Sequence, residues 1–431
     1  MLDIRYVREN ADRVQQAAQQ KGYAVDVQKL LKLDDKRRSF LQKIEDLRRE
    51  RNELAASLKQ GRPDPQQIER GKALKTELAD LEESLRGAEK AYLDALKQVP
   101  NMPLDEVPVG ASEDENVVSK EWGTPKKFDF EPKNHWQIAE ARDWIDKKRA
   151  AKVAGARFAY IKGDLVKLQW ALFTFAMTRL TNPDVIKQII ANNNLSVSSK
   201  PFVPVLPPLM IRTEVYDAMD RLEPRDDRYK IEGEDQWLQG SAEHVLGSMH
   251  LDEIFDESEL PLRYLGYATS FRREAGSYGK DMEGIFRLHQ FDKMEMESLA
   301  TSQSSLEEHK FMVAIQEYLM QQLELPYRVI MKCTADIGKP NARGVDIDVW
   351  LPGQNKYRET HTADFMTDYQ ARRLQTRVRR SDGEIEYVHT NDATVFSQRP
   401  LIAIIENYQN HDGTVTVPQV LRHYMSGRET I

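Results

Sequence analysis

The sequence predicts an α+β protein in which a long antiparallel helical hairpin precedes a larger domain built on an antiparallel β-sheet with helices. Three observations lead there. Two heptad-spaced apolar seams are separated by a short breaker, a Pro- and Gly-containing acidic linker follows them, and the remaining chain mixes helical runs with short β-rich segments. The boundary is placed in the linker, giving domains 1–105 and 106–431.

The opening residues form a short helical run, with Asp3 as the expected N-cap and Gly22 as the stop. Leu33, Arg37, Phe40, Ile44, Leu47, Arg51, Leu54 and Leu58 then alternate steps of four and three, the seam of a two-stranded coiled coil. After the breaker Gly61-Arg62-Pro63-Asp64-Pro65 the seam resumes in Leu74, Leu78, Leu81, Leu85, Ala88, Tyr92, Ala95 and Val99. Two such runs joined by a tight polar turn are neighbours only if antiparallel, so they are expected to form an arm about 40 to 50 Å long at 1.5 Å per residue. Pro100-Asn101-Met102-Pro103 opens the linker, which runs to about Asn116. Beyond it lie an amphipathic run from about Leu165 to Leu180 and β-rich segments such as Tyr327 to Lys332 and Asp346 to Leu351.

With 40% hydrophobic residues in 431, the chain has the composition of a soluble globular protein, and no stretch approaches a membrane span. The start, MLDIRYVREN, is charged early and does not resemble a secretory signal, so a cytoplasmic location is expected. A single cysteine, Cys333, excludes an internal disulfide, and no zinc site is expected. A net charge of −7 gives no general attraction to nucleic acid, so clustering has to be sought locally. Residues 28–60 carry ten Lys and Arg against six Asp and Glu, whereas residues 66–99 carry six against seven. The first leg, with Lys36, Arg37, Arg38, Arg48, Arg49 and Arg51, is therefore the candidate nucleic-acid face. Charged heptad flanks are by themselves more often merely solvated.

The chemistry-bearing segment is Thr269-Ser270-Phe271-Arg272-Arg273-Glu274, followed by a loop containing Gly276 and Gly279. In a strand, residues two apart share a face, so Arg272 and Glu274 would present a guanidinium beside a carboxylate, suited to a phosphate and an amino-bearing base. The chain returns as Arg287-Leu288-His289-Gln290-Phe291-Asp292-Lys293-Met294-Glu295, a second strand ending in another carboxylate. No Gly-rich phosphate loop of the Walker or Rossmann kind is present, so side chains must hold any nucleotide.

These segments resemble motif 2 of class II aminoacyl-tRNA synthetases, and FRREAGSYGKDMEG with RLHQFDKME resembles the seryl-tRNA synthetase family specifically. The likeness extends through MLDIRYVRENADRV, the hairpin, AKVAGARFAYIK, LPLRYLGYATSFRREAG, DIDVWLPGQNKYRE and IIENYQNHDGTVTVPQVLRHYM. The resemblance implies a class II synthetase fold and an enzyme that activates L-serine with ATP and Mg2+ and loads it onto tRNA(Ser). It also implies that the arm holds the long variable arm of the tRNA, with the acceptor end at the cleft, and that the protein is a homodimer built around Pro207-Pro208. Arg272 would contact the ATP α-phosphate and the serine, Glu274 the adenine, Arg287 would also bind ATP, and Phe291 would stack on the ring. Glu359 would hold magnesium with Thr362, and Arg399 would pack over the nucleotide. Glu295 matches the family's serine-recognising carboxylate, and Ser241-Ala242-Glu243 stands where the family usually shows Thr-Ala-Glu.

Two stretches depart from the family pattern. After Glu359 the customary Ser/Cys/Asn/Gly-rich run is replaced by residues 360–368, and before Arg399 a glycine-rich run is replaced by Asn391 to Gln398. The family's serine-contacting Asn and Ser/Thr have no unique counterparts there; Thr394 is the preferred hydroxyl and Asn391 the preferred amide. The rival readings are a synthetase-like ligase that loads a carrier protein and an inactive coiled-coil RNA-binding protein. tRNA(Sec) is a second candidate acceptor.

Overall fold

The computed structural model describes residues 1–58, 64–275 and 284–431. The breaker Gly61-Arg62-Pro63 and the loop glycines Gly276 and Gly279 lie outside the described residues. The chain divides into two compact units, Met1–Met102 and Pro103–Ile431.

In the first unit, the opening helical run is two helices rather than one: α1 (Ile4–Glu9) and α2 (Ala11–Gln20). Asp3 caps α1 by accepting from the Arg5 amide at 2.7 Å, and the chain breaks at Asn10, whose side-chain amide donates to the Tyr6 carbonyl. Gly22, at φ +78°, supplies the left-handed residue past the end of α2. The hairpin legs are α3 (Val27–Leu58) and α4 (Pro65–Gln98), about 48 and 51 Å long at 1.5 Å per residue. Asp64 starts α4 with a capping box to Gln67, and Pro65 fits the first turn because its missing amide hydrogen has no intrahelical partner there.

The seam is mostly as the heptads predict, with Ile44, Leu74, Leu78, Ala88 and Tyr92 buried between the legs. Arg51 departs from it. Its side chain is exposed, and its neighbour Glu50 makes the contact between the legs instead, gripped by Arg70 of α4 through Nε at 2.7 Å and Nη2 at 2.8 Å. The two-pronged ion pair is solvent-exposed and joins the legs where the heptads predict a seam contact. Arg37 does lie at the seam, its guanidinium 4.7 Å from the Tyr92 ring centre and bonded to buried Asp34.

The second unit is organised by one eight-stranded sheet. Its strands are β1 (Val117–Trp122), β2 (Val203–Val205), β3 (Leu262–Phe271), β4 (Gln290–Ala300), β5 (Tyr327–Met331), β6 (Arg343–Leu351), β7 (Lys356–Thr367) and β8 (His389–Phe396). They lie in the order β1-β5-β6-β7-β8-β4-β3-β2, antiparallel throughout except for the parallel edge pair β2 and β3. Period-two alternation divides the sheet's faces. Met294, Met296, Val345, Ile347, Val349, Ala363, Ala393 and Val395 join the main core with helices α5 (Asp164–Leu180), α6 (Ser305–Gln322) and α7 (Gln398–Asn407). Each fully buried aliphatic side chain on α7, such as Leu401 or Ile404, contributes about 1.5–3 kcal/mol. Gln316 of α6 donates to the carbonyls of Thr362 and Thr394, both at 2.8 Å, tying β7 to β8 from this side. The intervening residues, Lys293, Glu295, Asp346, Asp348, Asp364, Asp392 and Thr394, fall on the other face. No helix among the described residues is long and apolar enough to cross a membrane.

Candidate active site

The polar face of the sheet opens into a cleft. Arg272, Glu274, Arg287, Phe291, Lys293, Glu359, Thr362, Thr394 and Arg399 all line it. Four separated stretches supply these groups: the end of β3 and the residues after it, the lead-in to β4 with its first half, the middle of β7, and β8 with the start of α7. The cross-strand register explains the convergence, because β7, β8, β4 and β3 are consecutive neighbours in the sheet.

Arg272 and Glu274 differ from the strand geometry expected of them. β3 stops at Phe271, and Glu274 has a left-handed backbone at φ +53°. The two side chains reach the same cleft through an irregular turn, in which the Arg272 amide still bonds the His289 carbonyl at 3.0 Å and the Arg273 amide bonds Asp227. Arg272 Nε donates to the Gly240 carbonyl at 2.9 Å, and its guanidinium lies 5.4 Å from the Phe291 ring centre. Glu274 accepts from Arg287 Nη1 at 2.9 Å. Across the cleft Arg399 Nη1 meets Glu359 Oε1 at 2.8 Å. Phe286, which sequence reading passed over, lies between two guanidinium groups, Arg358 at 3.8 Å and Arg399 at 4.8 Å from its ring centre.

A second, buried cluster lies behind Lys293, which lines the cleft. Lys293 forms a close ion pair with Glu295, whose other oxygen takes a short hydrogen bond from Ser241 Oγ and the Glu243 amide at 3.0 Å. The short helix Glu243–Leu246 can approach this closely because Gly266 on β3 has no side chain; a Cβ there would lie 2.5 Å from Leu246 Cδ1. Glu243 itself faces Arg221 at 3.1 Å and His244 at 3.3 Å. His244 is driven down to about 4 by burial, so it is neutral at neutral pH, and its Nδ1 accepts from the Gly240 amide at 3.2 Å. Gly240 thus links Arg272 to His244, a connection between the cleft and the buried cluster that linear spacing did not reveal.

Asn391 does not join the site. It is fully buried and shares its face with its cross-strand partners Ser298 and Phe365, whose side chains meet Glu308 and His309 of α6. Side chains alternate along β8, so with Thr394 on the cleft face it is Asp392 that stands beside it. The signal was available in the pattern Asn391-Asp392-Ala393-Thr394-Val395, where Ala393 and Val395 are the core positions.

The acidic groups near Glu359 are also ordered by register. Asp348 is the cross-strand partner of Glu359, and Asp346 that of Thr362. Burial and then the Glu359 charge push the Asp348 carboxyl up to about 6. Among the described residues no group of three or more His, Cys, Asp or Glu has metal-holding geometry.

On the arm, Arg38 and Arg51 are exposed, Arg48 bonds Glu82 across the hairpin at 2.8 Å, and Arg49 pairs with Asp46. Lys36 Nζ lies 5.9 Å from the Phe40 ring centre. Arg37 is committed to Asp34 and Tyr92, which makes it part of the arm's packing rather than of a free basic face.

A cleft on an antiparallel sheet, lined by arginines from separate stretches of chain, is the arrangement of a class II aminoacyl-tRNA synthetase core. Residues 228–408 match the family described as tRNA synthetase class II core domain (G, H, P, S and T), and residues 1–103 match the seryl-tRNA synthetase N-terminal domain. The chain belongs to the seryl-tRNA synthetase family. It is 40% identical to a serine–tRNA ligase of Symbiobacterium thermophilum, covering 98% of each chain, and 37% identical to one from Nitrosopumilus maritimus over the whole of both. Among solved structures it is similar to seryl-tRNA synthetase from Pyrococcus horikoshii complexed with ATP, at a TM-score of 0.89 and 36% identity over 100% of this chain and 99% of that one. A cytoplasmic serine–tRNA ligase from Naegleria fowleri in complex with AMP gives a TM-score of 0.84 at 29% identity, over 100% and 98%.

Proposed function

We propose that this chain is a serine–tRNA ligase, which couples L-serine to ATP and then transfers the seryl group to the 3′ end of tRNA(Ser). The observation that carries the reading is the convergence of Arg272, Glu274, Phe291, Glu359 and Arg399 on one cleft, in a chain that matches such ligases over its full length. In the first step a serine carboxylate oxygen attacks the α-phosphorus and pyrophosphate leaves. In the second, a terminal ribose hydroxyl attacks the activated carbonyl and AMP leaves. Neither step needs a protein nucleophile, so catalysis rests on alignment and on neutralising charge at phosphorus.

Arg272 is assigned to the α-phosphate: Gly240 fixes its Nε, and its terminal nitrogens have no carboxylate partner among the described residues. Glu274, oriented by Arg287, is assigned to the adenine amino group, and Phe291 with Arg399 to the faces of the base. Serine is assigned to Ser241, Glu243, Glu295 and Thr394, where Lys293 offsets the Glu295 charge. Magnesium fits beside Glu359, Asp348 and Thr362, since it usually takes one or two carboxylates together with substrate phosphates. When bound, it would screen the triphosphate's negative charge.

Domain 1–105, through Lys36, Arg38, Arg48, Arg49 and Arg51, is assigned to the tRNA variable arm, read by shape and backbone charge. Two copies of the chain are assigned to a homodimer about Pro207-Pro208. The test is serine-dependent ATP/pyrophosphate exchange followed by charging of tRNA(Ser). Absence of exchange with serine, threonine, alanine and glycine alike would sink the adenylating assignment.

A further inference from the structure

Beside the residues assigned to serine, the polar face of the sheet carries a row of carboxylates. Asp364 on β7, Asp392 on β8 and Glu297 on β4 are successive cross-strand partners on three adjacent strands. Asp364 and Asp392 come from the two runs, 360–368 and 391–398, that depart from the family pattern, and the sheet makes those runs neighbours. Glu243 closes the cluster from its short helix. All four side chains are buried, Glu297 completely.

The compensation is incomplete. Arg221 is the central cation, with Nε 3.1 Å from Glu243, Nη2 3.4 Å from Asp392 and Nη2 3.6 Å from Asp364. Lys293 is committed to Glu295, and Lys332 lies 3.6 Å from Asp346. Asp364 is also offset by Lys332 and hydrogen-bonded by Asn341, and Glu243 by His244, which leaves Glu297 and Asp392 the least compensated of the four. Both oxygens of Glu297, and Oδ1 of Asp392, are buried without a hydrogen-bond partner. Like charges directly across a strand pair repel, and a dry surrounding magnifies the cost. Burial, followed by the neighbouring carboxylates, accordingly holds Glu297 and Asp392 well above the usual carboxylate range. Such a row wants a proton or a cation. Because the row adjoins the residues assigned to the amino acid, an ammonium group on the substrate is the cation it would take.

Register sets the row next to the residues assigned to the amino acid. Glu297 and Asp392 lie two residues beyond Glu295 and Thr394 on the same sheet face, about 7 Å deeper. Allowing about 2.8 Å for a charge-assisted hydrogen bond leaves about 4 Å, the reach of a two- or three-atom side chain. We propose that this row binds the side-chain ammonium of short diamino acids, and that the protein binds them more tightly than serine. The inference rests on the adenylating reading above and concerns which amino acid that site holds most tightly, not the reaction.

The full-length protein is titrated calorimetrically with L-serine, L-2,3-diaminopropionate and L-2,4-diaminobutyrate, and the same series is repeated on Glu297→Gln. The expected result is that the better diamino acid binds at least roughly tenfold tighter than serine, with that ratio falling roughly 10- to 100-fold in the variant, as loss of a bond to a charged group implies. Serine binding as tightly as both diamino acids would overturn the proposal even if Glu297→Gln failed to fold, and so would an unchanged ratio in a folded variant. Pyrophosphate exchange run in parallel separates the two readings: exchange with no amino acid refutes adenylation, while the calorimetric ratio still decides the diamino-acid site.

Discussion

Replacing Arg272 by alanine removes the group assigned to the α-phosphate, and the structure allows the loss to be sized. Arg272 uses Nε on the Gly240 carbonyl and has no salt-bridge partner among the described residues, so its terminal nitrogens are available to substrate. Two charge-assisted hydrogen bonds at roughly 1.5–3 kcal/mol each give about 3–6 kcal/mol of lost transition-state stabilisation, or roughly 10²- to 10⁴-fold in exchange rate. The fold should survive, because the Arg272 side chain is only partly buried and lies at a strand end rather than in the core. Arg272→Lys should recover only part of the rate, since an ammonium cannot reproduce the planar fork. The assay is serine-dependent ATP/pyrophosphate exchange beside a circular-dichroism melt. Exchange within a few-fold of the parent in a folded Arg272→Ala protein would refute the placement of the α-phosphate.

Three further outcomes follow from other parts of the molecule. Deleting residues 36–90 should leave pyrophosphate exchange within a few-fold of the parent while tRNA charging collapses; equal loss of both would mean that the arm serves folding. Asp348 holds its proton up to about pH 6, so magnesium-dependent exchange should fall as the pH drops through 6, because the proton then competes with the cation; in Asp348→Asn the acid limb should flatten, and an unchanged limb would remove Asp348 from the metal site. Glu308→Ala should destabilise the second unit by about 3–5 kcal/mol, seen as a lower urea midpoint, because it strands Arg263, whose Nε and Nη2 bond Glu308 at 2.8 and 2.6 Å in a fully buried pair. A change under about 1 kcal/mol would show that Arg263 finds water or another acceptor.

Local periodicity and motif spacing, both readable along the chain, were enough for several elements. Heptad steps marked the hairpin legs, Asp3 and Gly22 bounded the first helical run, and the residues from Thr269 to Glu295 announced a strand, a loop and a returning strand. The same reasoning failed where a neighbour distant in sequence decided the outcome. Arg51 looked like a seam residue until Glu50 found Arg70, and Arg272 with Glu274 looked like a strand pair until β3 ended at Phe271.

The sequence by itself determined the family, the two-part organisation and most of the residues that line the cleft, because those depend on residue type at short spacings. Only the tertiary structure decided which face each strand presents and which strands lie side by side. Asn391 and Asp392 are adjacent letters, yet alternation sends one toward α6 and the other toward the cleft, and β-sheet register sets Asp392 between Asp364 and Glu297. Pairing across a sheet joins residues from distant parts of the chain, and no local pattern in a single strand records the identity of its partner.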